Sequence, residues 1–153
     1  MELILWRHAD AEDASAICTD SERALTEQGV RQAASMAKWL RARLPEGATV
    51  LASPAKRAQQ TARALTADFR TVNEIGTSSA PEAVLLACGW PGTAGTVVAV
   101  GHQPTLGEVA ALLMTGTKGQ WGLAKGAIIW LVARERGAIP RMHLRAAISP
   151  ELL

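Results

Sequence analysis

Histidine and arginine side chains follow three separate apolar runs of this sequence. Arg7 and His8 come at the end of the first run, Arg57 follows the second, and His102 follows the third. In an open α/β sheet the carboxyl ends of parallel strands meet at one edge, where helix N-termini also offer free N–H groups. Guanidinium groups at that edge can make paired hydrogen bonds to the oxygens of a bound phosphate. The spacing therefore predicts a single anion site built from three strand ends.

Arg57 is the most informative of these residues. It stands beside Lys56 in the first turn of a predicted helix, where two cations oppose the helix dipole at a cost of up to about 1 kcal/mol each. Local rules of this kind tend to be broken at functional sites. Taken singly, Arg57 has an ordinary explanation as a solvated side chain, His102 as a loop residue and His8 as a buried strand terminus. Their joint placement favours the anion site.

The pattern of apolar residues predicts the elements that position this site. Residues 2–6, 49–52 and 96–100 are apolar on both faces, which is typical of central parallel strands covered by helices. Residues 9–23 are polar, acidic and aperiodic, which indicates a loop over the top of the sheet. Helices are predicted from a Thr26 cap to about residue 44, from a Ser53 cap through Pro54 to about residue 67, at 81–87 and at 105–114.

Two features complete the predicted fold. The first long helix has a predicted inward stripe of small and aliphatic residues: Val30, Ala33, Ala34, Ala37, Leu40 and Leu44. Residues 127–133 and 142–148 form a predicted hairpin around Glu135, Arg136 and Gly137, and Pro140 indicates that the second strand lies near an edge. The fold class is therefore α/β, a three-layer αβα sandwich around a mostly parallel sheet with an antiparallel addition at its edge.

Composition narrows the function classes. The chain has 153 residues, which suits a single domain over residues 1–153, and its formal net charge of +2 is too small to indicate a nucleic-acid surface. No apolar run approaches the length of a membrane span. Cys18 and Cys88 lie far apart and no secretory leader precedes them, which favours a reduced, cytoplasmic protein over one with a disulfide between them.

An ordered set of motifs resembles the histidine phosphatase superfamily. In chain order, the motifs that carry this resemblance are Arg7-His8, Ser53-Pro54 with Arg57 and Gln60-Thr61-Ala62, and Gly101-His102. Further segments resemble the SixA-type phosphohistidine phosphatases within that superfamily: Arg7-His8-Ala9-Asp10-Ala11, Leu25-Thr26-Glu27-Gln28-Gly29, Gly101-His102-Gln103-Pro104 and Lys125-Gly126-Ala127. The resemblance implies a phosphoglycerate mutase-like fold.

The resemblance also implies roles for residues of this chain. His8 would be the nucleophile and form a covalent phosphohistidine, with Arg7, Arg57 and His102 around the phosphoryl group and Gln103 as a further substrate-binding residue. Nearby cations disfavour the charged form of His8, which has to be neutral to attack phosphorus. This scheme requires no metal and no cofactor, and the remaining histidine, His143, is predicted to be structural or solvated.

The general acid is the least distinct part of the predicted site. Glu74 lies where many superfamily members carry a glutamate, although a solvated loop carboxylate is an equal explanation, and Glu82, Asp10 and Asp13 are alternatives. Phosphohistidine needs a dedicated acid less than a phosphate ester does, because its P–N bond is labile and protonated imidazole leaves readily. The short excursion over residues 74–93 also favours an open site that accepts a side chain of a protein. Ala9 stands where the wider superfamily has glycine, which we expect to be tolerated.

The leading hypothesis from the sequence is thus a phosphohistidine phosphatase that acts on a histidine-containing phosphotransfer protein in signal transduction. A phosphatase for small phosphomonoesters is the nearest alternative. A non-catalytic phosphate-binding module is a further alternative, which the presence of both His8 and His102 disfavours. A mutase of the phosphoglycerate type is another, which the predicted open site disfavours.

Overall fold

The computed structural model of the chain describes residues 1–92, 94–134 and 141–153. Six strands form one sheet: β1 (Glu2–Arg7), β2 (Thr49–Ala52), β3 (Arg70–Thr71), β4 (Thr96–Gly101), β5 (Ile128–Arg134) and β6 (Arg141–Ile148). Four α-helices accompany them: α1 (Glu27–Arg41), α2 (Lys56–Leu65), α3 (Pro81–Ala87) and α4 (Thr105–Thr115).

The strand order is β3-β2-β4-β1-β5-β6. The four strands from β3 to β1 are parallel, whereas β5 pairs antiparallel with β1, and β6 pairs antiparallel with β5. The predicted hairpin is confirmed as strands, and β6 is an edge strand as expected. Its predicted turn and Pro140 lie outside the described residues. The α/β fold class with a mixed sheet is therefore confirmed.

Apolar clusters on both faces of the sheet account for the three layers. Leu3 and Leu5 point to one side, where they pack with α3 and α4, and Ile4 and Trp6 point to the other, where they pack with α1 and α2. All four side chains are fully buried, which explains why β1 shows no polar alternation. Burial on both faces fixes the position of β1 and of the residues that follow it.

The first helix buries only part of the predicted stripe, namely Ala33, Ala37 and Leu40. Val30 and Ala34 are exposed, and the buried face consists of Gly29, Ala33, Met36, Ala37 and Leu40. The predicted cap is correct, because Thr26 Oγ1 accepts a hydrogen bond from the Gly29 backbone N–H at 3.0 Å. The second predicted cap is wrong: α2 begins at Lys56 with Ala55 at the N-cap, and Ser53 has another role.

Within the parts of the chain that the structure describes, no helix combines the length and the apolar character needed to cross a membrane. Cys18 and Cys88 are both free thiols.

Candidate active site

The sheet brings three of the predicted segments to one edge because β4 lies between β1 and β2. His8 follows β1 and its backbone N–H donates to the Gly101 carbonyl at 3.0 Å, while the backbone N–H of Ser53 donates to the Val100 carbonyl at 3.0 Å. The carboxyl ends of the three strands are thereby joined by main-chain hydrogen bonds. His8, Arg57 and His102, which were predicted from separate motifs, meet at this edge and are each less than a tenth exposed.

The hydrogen bonds of His8 define its tautomer. Its Nδ1 lies 2.7 Å from the Ala9 carbonyl oxygen, which can only accept, so Nδ1 carries the proton. Its Nε2 lies 3.3 Å from Nε of Arg57, which can only donate, so Nε2 holds the lone pair. The ring therefore presents a nucleophilic nitrogen to the guanidinium group of Arg57.

Burial keeps this ring neutral. It lowers the pKa of His8 to about 4, with smaller contributions in the same direction from the charges of Arg57, Arg7 and Arg23, against the Ala9 hydrogen bond, which raises it. The sequence predicted the effect of the cations, but desolvation is the larger cause. A neutral His8 is the form that can attack phosphorus.

His102 is held by Ser53, which was predicted to be the cap of the second helix. Its Nε2 lies 2.7 Å from Oγ of Ser53, and its Nδ1 lies 3.4 Å from Nη2 of Arg57. Because Arg57 can only donate, His102 Nδ1 accepts and Nε2 donates to Ser53. Burial, with added repulsion from His8 and Arg57, lowers the pKa of His102 to about 3, so this ring is also neutral.

Arg57 is the centre of the site. Its Nε–H meets His8, its Nη2 meets His102, and its two Nη groups also donate to the carboxylate and the carbonyl of Asp20 at 3.0 and 2.5 Å. Asp20 begins a 3₁₀ turn, Asp20–Glu22, within the loop that was predicted to cross the top of the sheet. Its contact with Arg57 was not predicted, because the two residues are 37 positions apart and neither belongs to a local pattern that pairs them.

Arg7 is the last residue of β1 and directly precedes His8. One of its Nη groups donates to the Leu123 carbonyl at 2.6 Å. Its Nε–H is buried and has no hydrogen-bond partner among the described residues. A buried cationic N–H without a partner is costly in a folded protein, so an anion that accepts from it would relieve that cost.

Among the described residues, the side chains of the other predicted site residues make no hydrogen bond or ion pair with His8, Arg57 or His102. Glu74 is exposed and takes no part in the hydrogen bonds or ion pairs among the described residues, although its neighbour Ile75 packs against Gly101. Glu82 pairs with Lys118 at 3.0 Å, and Asp13 is exposed. Both amide atoms of Gln103 are used within the fold, since Oε1 accepts from Gly107 N–H and Nε2 donates to the Trp121 carbonyl. Substrate binding by Gln103 and acid catalysis by Glu74 stay predictions.

Residues from several of the superfamily and SixA-type motifs fix the position of the loop that follows His8. The carboxylate of Asp10 accepts from Lys125 at 2.5 Å and from Thr26 at 2.7 Å, and these two hydrogen bonds lower the pKa of Asp10. The Ala9 N–H donates to Oγ1 of Thr61, which in turn donates to the Arg57 carbonyl at 2.7 Å. These residues fix the backbone beside the nucleophile. His143, in β6, is exposed as predicted.

Two neutral histidines and two arginines at the carboxyl edge of such a sheet define a phosphate-handling α/β protein. The chain belongs to the histidine phosphatase superfamily: the model of its branch 1 matches residues 3–77, which contain His8 and Arg57. No curated protein matches the chain by sequence.

Solved structures extend the similarity over the whole chain. The protein histidine phosphatase SixA, complexed with tungstate, is 27% identical with a TM-score of 0.80, and 99% of each chain is covered. A candidate phosphohistidine phosphatase SixA from Nakamurella multipartitia is 28% identical with a TM-score of 0.74, covering 97% of this chain and 95% of its own. A phosphoserine phosphatase from Entamoeba histolytica shares the fold at 17% identity and a TM-score of 0.72, covering 99% and 98%. The chain is thus a phosphatase-type hydrolase by family, with a SixA-like fold.

Proposed function

We propose that this protein is a phosphohistidine phosphatase that removes the phosphoryl group from a histidine-containing phosphotransfer protein. The observation that carries the proposal is the tautomer of His8, whose Nε2 lone pair faces Arg57 while Nδ1–H is held by the Ala9 carbonyl. His8 attacks phosphorus through Nε2 and the displaced group departs. Water then hydrolyses the phosphohistidine on His8, which restores the free protein.

The surrounding cations suit this reaction. Arg57 can exchange its hydrogen bonds with His8 and His102 for bonds to phosphoryl oxygens, and Arg7 has a buried Nε–H available for the same purpose. Donors that are already in place stabilise charge as it develops on the transferring group. The tungstate bound in the 27% identical SixA structure shows that a tetrahedral oxyanion can be accommodated in a protein of this fold.

The ionisation of the nearby carboxylates supports phosphohistidine over an ester. Asp20 is paired with Arg23 and Arg57, and Asp10 with Lys125 and Thr26, and these contacts lower the pKa of both carboxyl groups. An ionised carboxylate cannot protonate a departing alkoxide. Phosphohistidine can carry a proton on its own ring, so its departure does not require one from the enzyme.

An apolar groove next to Arg7 supports a protein as the substrate. An open apolar groove of about 480 Å³ shares Leu123 with the site, where the carbonyl of that residue meets Arg7. Trp121, Leu144 and Leu152 line it and are exposed. We also propose that residues 1–153 form a single domain and that the protein acts in signal transduction in the cytoplasm.

The test is phosphoenzyme trapping with a labelled phosphotransfer protein. Wild-type protein is mixed with a ³²P-phosphohistidine domain, quenched in alkali and compared with His8→Ala and with His143→Ala as a matched control. Release of phosphate and a base-stable, acid-labile label on the wild type and on His143→Ala, but not on His8→Ala, supports the proposal. Equal phosphate release by wild type and His8→Ala contradicts it. Turnover of phosphoserine or sugar phosphates in place of phosphohistidine would favour the phosphomonoester alternative.

A further inference from the structure

Asp20 is the acidic side chain in direct contact with the site's central arginine, and its geometry leaves it able to bind more. Its Oδ2 accepts from Arg57 at 3.0 Å and its Oδ1 from Arg23 at 2.8 Å, yet about half of the side chain, 54%, is exposed. A carboxylate has about four lone-pair positions, so these two bonds leave room for a further donor. The exposed face of Asp20 can therefore accept a hydrogen bond from a substrate.

The position of Asp20 relative to His8 places it on the side of the leaving group. Arg57 directs Nε toward the buried His8 and its Nη groups toward the exposed Asp20, with Nη2 also meeting the buried His102. The guanidinium group therefore connects the buried histidines with the exposed carboxylate. Phosphoryl transfer proceeds with the attacking and leaving atoms roughly in line. Because His8 attacks from the buried side, the group that departs lies toward the rim, where Asp20 is.

We propose that Asp20 accepts a hydrogen bond from the protonated ring nitrogen of the substrate's phosphohistidine and so selects a leaving group that brings its own proton. This inference rests on the proposed function and deepens it. The His8 Nε2 lone pair forms the new N–P bond, and the electron pair of the substrate's P–N bond moves to the substrate imidazole. That ring keeps the proton on its other nitrogen and departs as neutral imidazole.

The charge of Asp20 explains the selectivity. A carboxylate at hydrogen-bonding distance favours the cationic form of the phosphorylated ring and therefore keeps its proton in place at neutral pH. A phosphate ester has no such N–H, so it gains no hydrogen bond from the carboxylate, and an ionised carboxylate supplies no proton to its leaving group. Asp20 thus favours phosphohistidine over esters.

The other charged groups around Asp20 set the size of the effect. Arg23 faces it from its own segment and Arg57 from α2, while Lys56 of α2 interacts with Glu22. His102, at the end of β4, is a titratable neighbour that is neutral in the free protein. The two arginines hold the carboxylate ionised but also neutralise part of its charge. We therefore expect Asp20 to raise the pKa of the bound substrate ring by about one unit rather than several.

The test compares Asp20→Asn with Asp68→Asn, an exposed aspartate that follows α2, on two substrates. One is the phosphohistidine domain, and the other is p-nitrophenyl phosphate, whose leaving group departs without a proton. Asp20→Asn is expected to lower the ratio of kcat/KM for phosphohistidine to that for p-nitrophenyl phosphate by about tenfold. The alkaline limb of its phosphohistidine pH profile should move down by about one unit. Asp68→Asn should leave both the ratio and the limb as in the wild type.

Two results would overturn the inference. If Asp20→Asn lowers both activities equally, the residue only holds Arg57; if the alkaline limb does not move, it does not interact with the substrate ring. Failure of the proposed function is a different outcome, because the wild type would then turn over p-nitrophenyl phosphate but not the phosphohistidine domain.

Discussion

The ring of His102 donates its Nε2–H to the hydroxyl of Ser53 at 2.7 Å, and Ser53 is completely buried beneath it. The same hydroxyl accepts from the Ala55 backbone N–H at 3.2 Å. Ser53 thus fixes the tautomer of His102 and, through it, the nitrogen that faces Arg57. It is a positioning residue and makes no contact with the nucleophile in the described structure.

Ser53→Ala is expected to lower phosphatase activity by about tenfold, because His102 loses the acceptor that orients its ring. The variant should change kcat more than KM, because the His102 ring is misaligned while Arg7 and Arg57 can still bind the phosphoryl group. Steady-state kinetics on the phosphohistidine domain measure this split. Ser35→Ala, a partly buried serine of α1, is the control. An unchanged kcat in Ser53→Ala would show that His102 needs no such support.

Thr61→Val is expected to reduce the free energy of unfolding by about 1–3 kcal/mol, because the buried Ala9 N–H loses its acceptor. Thr61→Ser keeps the hydroxyl and should recover most of that loss. Urea denaturation of the two variants measures the difference. Equal stability of the valine and serine variants would mean that the hydrogen bond from Ala9 contributes nothing.

Gly29→Ala is expected to destabilise the protein by up to about 3 kcal/mol, although alanine is the better helix former. A Cβ atom at this position would lie 1.9 Å from the backbone oxygen of Asp10, which is fixed by the loop after His8. Gly122→Ala is the matched control, because a Cβ atom there has no heavy atom within 4 Å. Thermal unfolding compares the two, and an equal Tm would contradict the close approach of α1 to this loop.

Protein stability is expected to fall as the pH decreases from about 6.5 toward 4.5. The pKa values of His8 and His102 are lowered to about 4 and about 3, so in this window the unfolded chain binds protons that the folded chain does not. Each ring contributes a slope of up to about 1.4 kcal/mol per pH unit, and the stabilisation is fully present above the unfolded pKa.

Urea unfolding at a series of pH values measures this dependence. His8→Asn should reduce the slope by about half, because one of the two rings is removed. The exposed His143 is the control, and His143→Asn should keep the wild-type slope. A slope that is the same in all three proteins would exclude His8 as one of its causes.

Much of the fold could be predicted from local pattern. The strands 2–6, 49–52 and 96–100 were recognised because burial on both faces leaves an uninterrupted apolar run, and the structure extends the first and third of these strands by one residue each. The predicted inward face of α1 was only partly right, because apolar character was taken as the sign of burial. Gly29 is buried where the helix needs space beside Asp10, while Val30 faces solvent.

The sequence by itself determined that His8, Arg57 and His102 follow strands of one parallel sheet, since strand periodicity and order along the chain place them at a common edge. Only the tertiary structure decided what each of them contacts. Ser53 under His102 and Asp20 over Arg57 are pairings across 49 and 37 positions. No periodic pattern encodes such contacts, because they depend on how the strand ends and the loop above them pack in three dimensions.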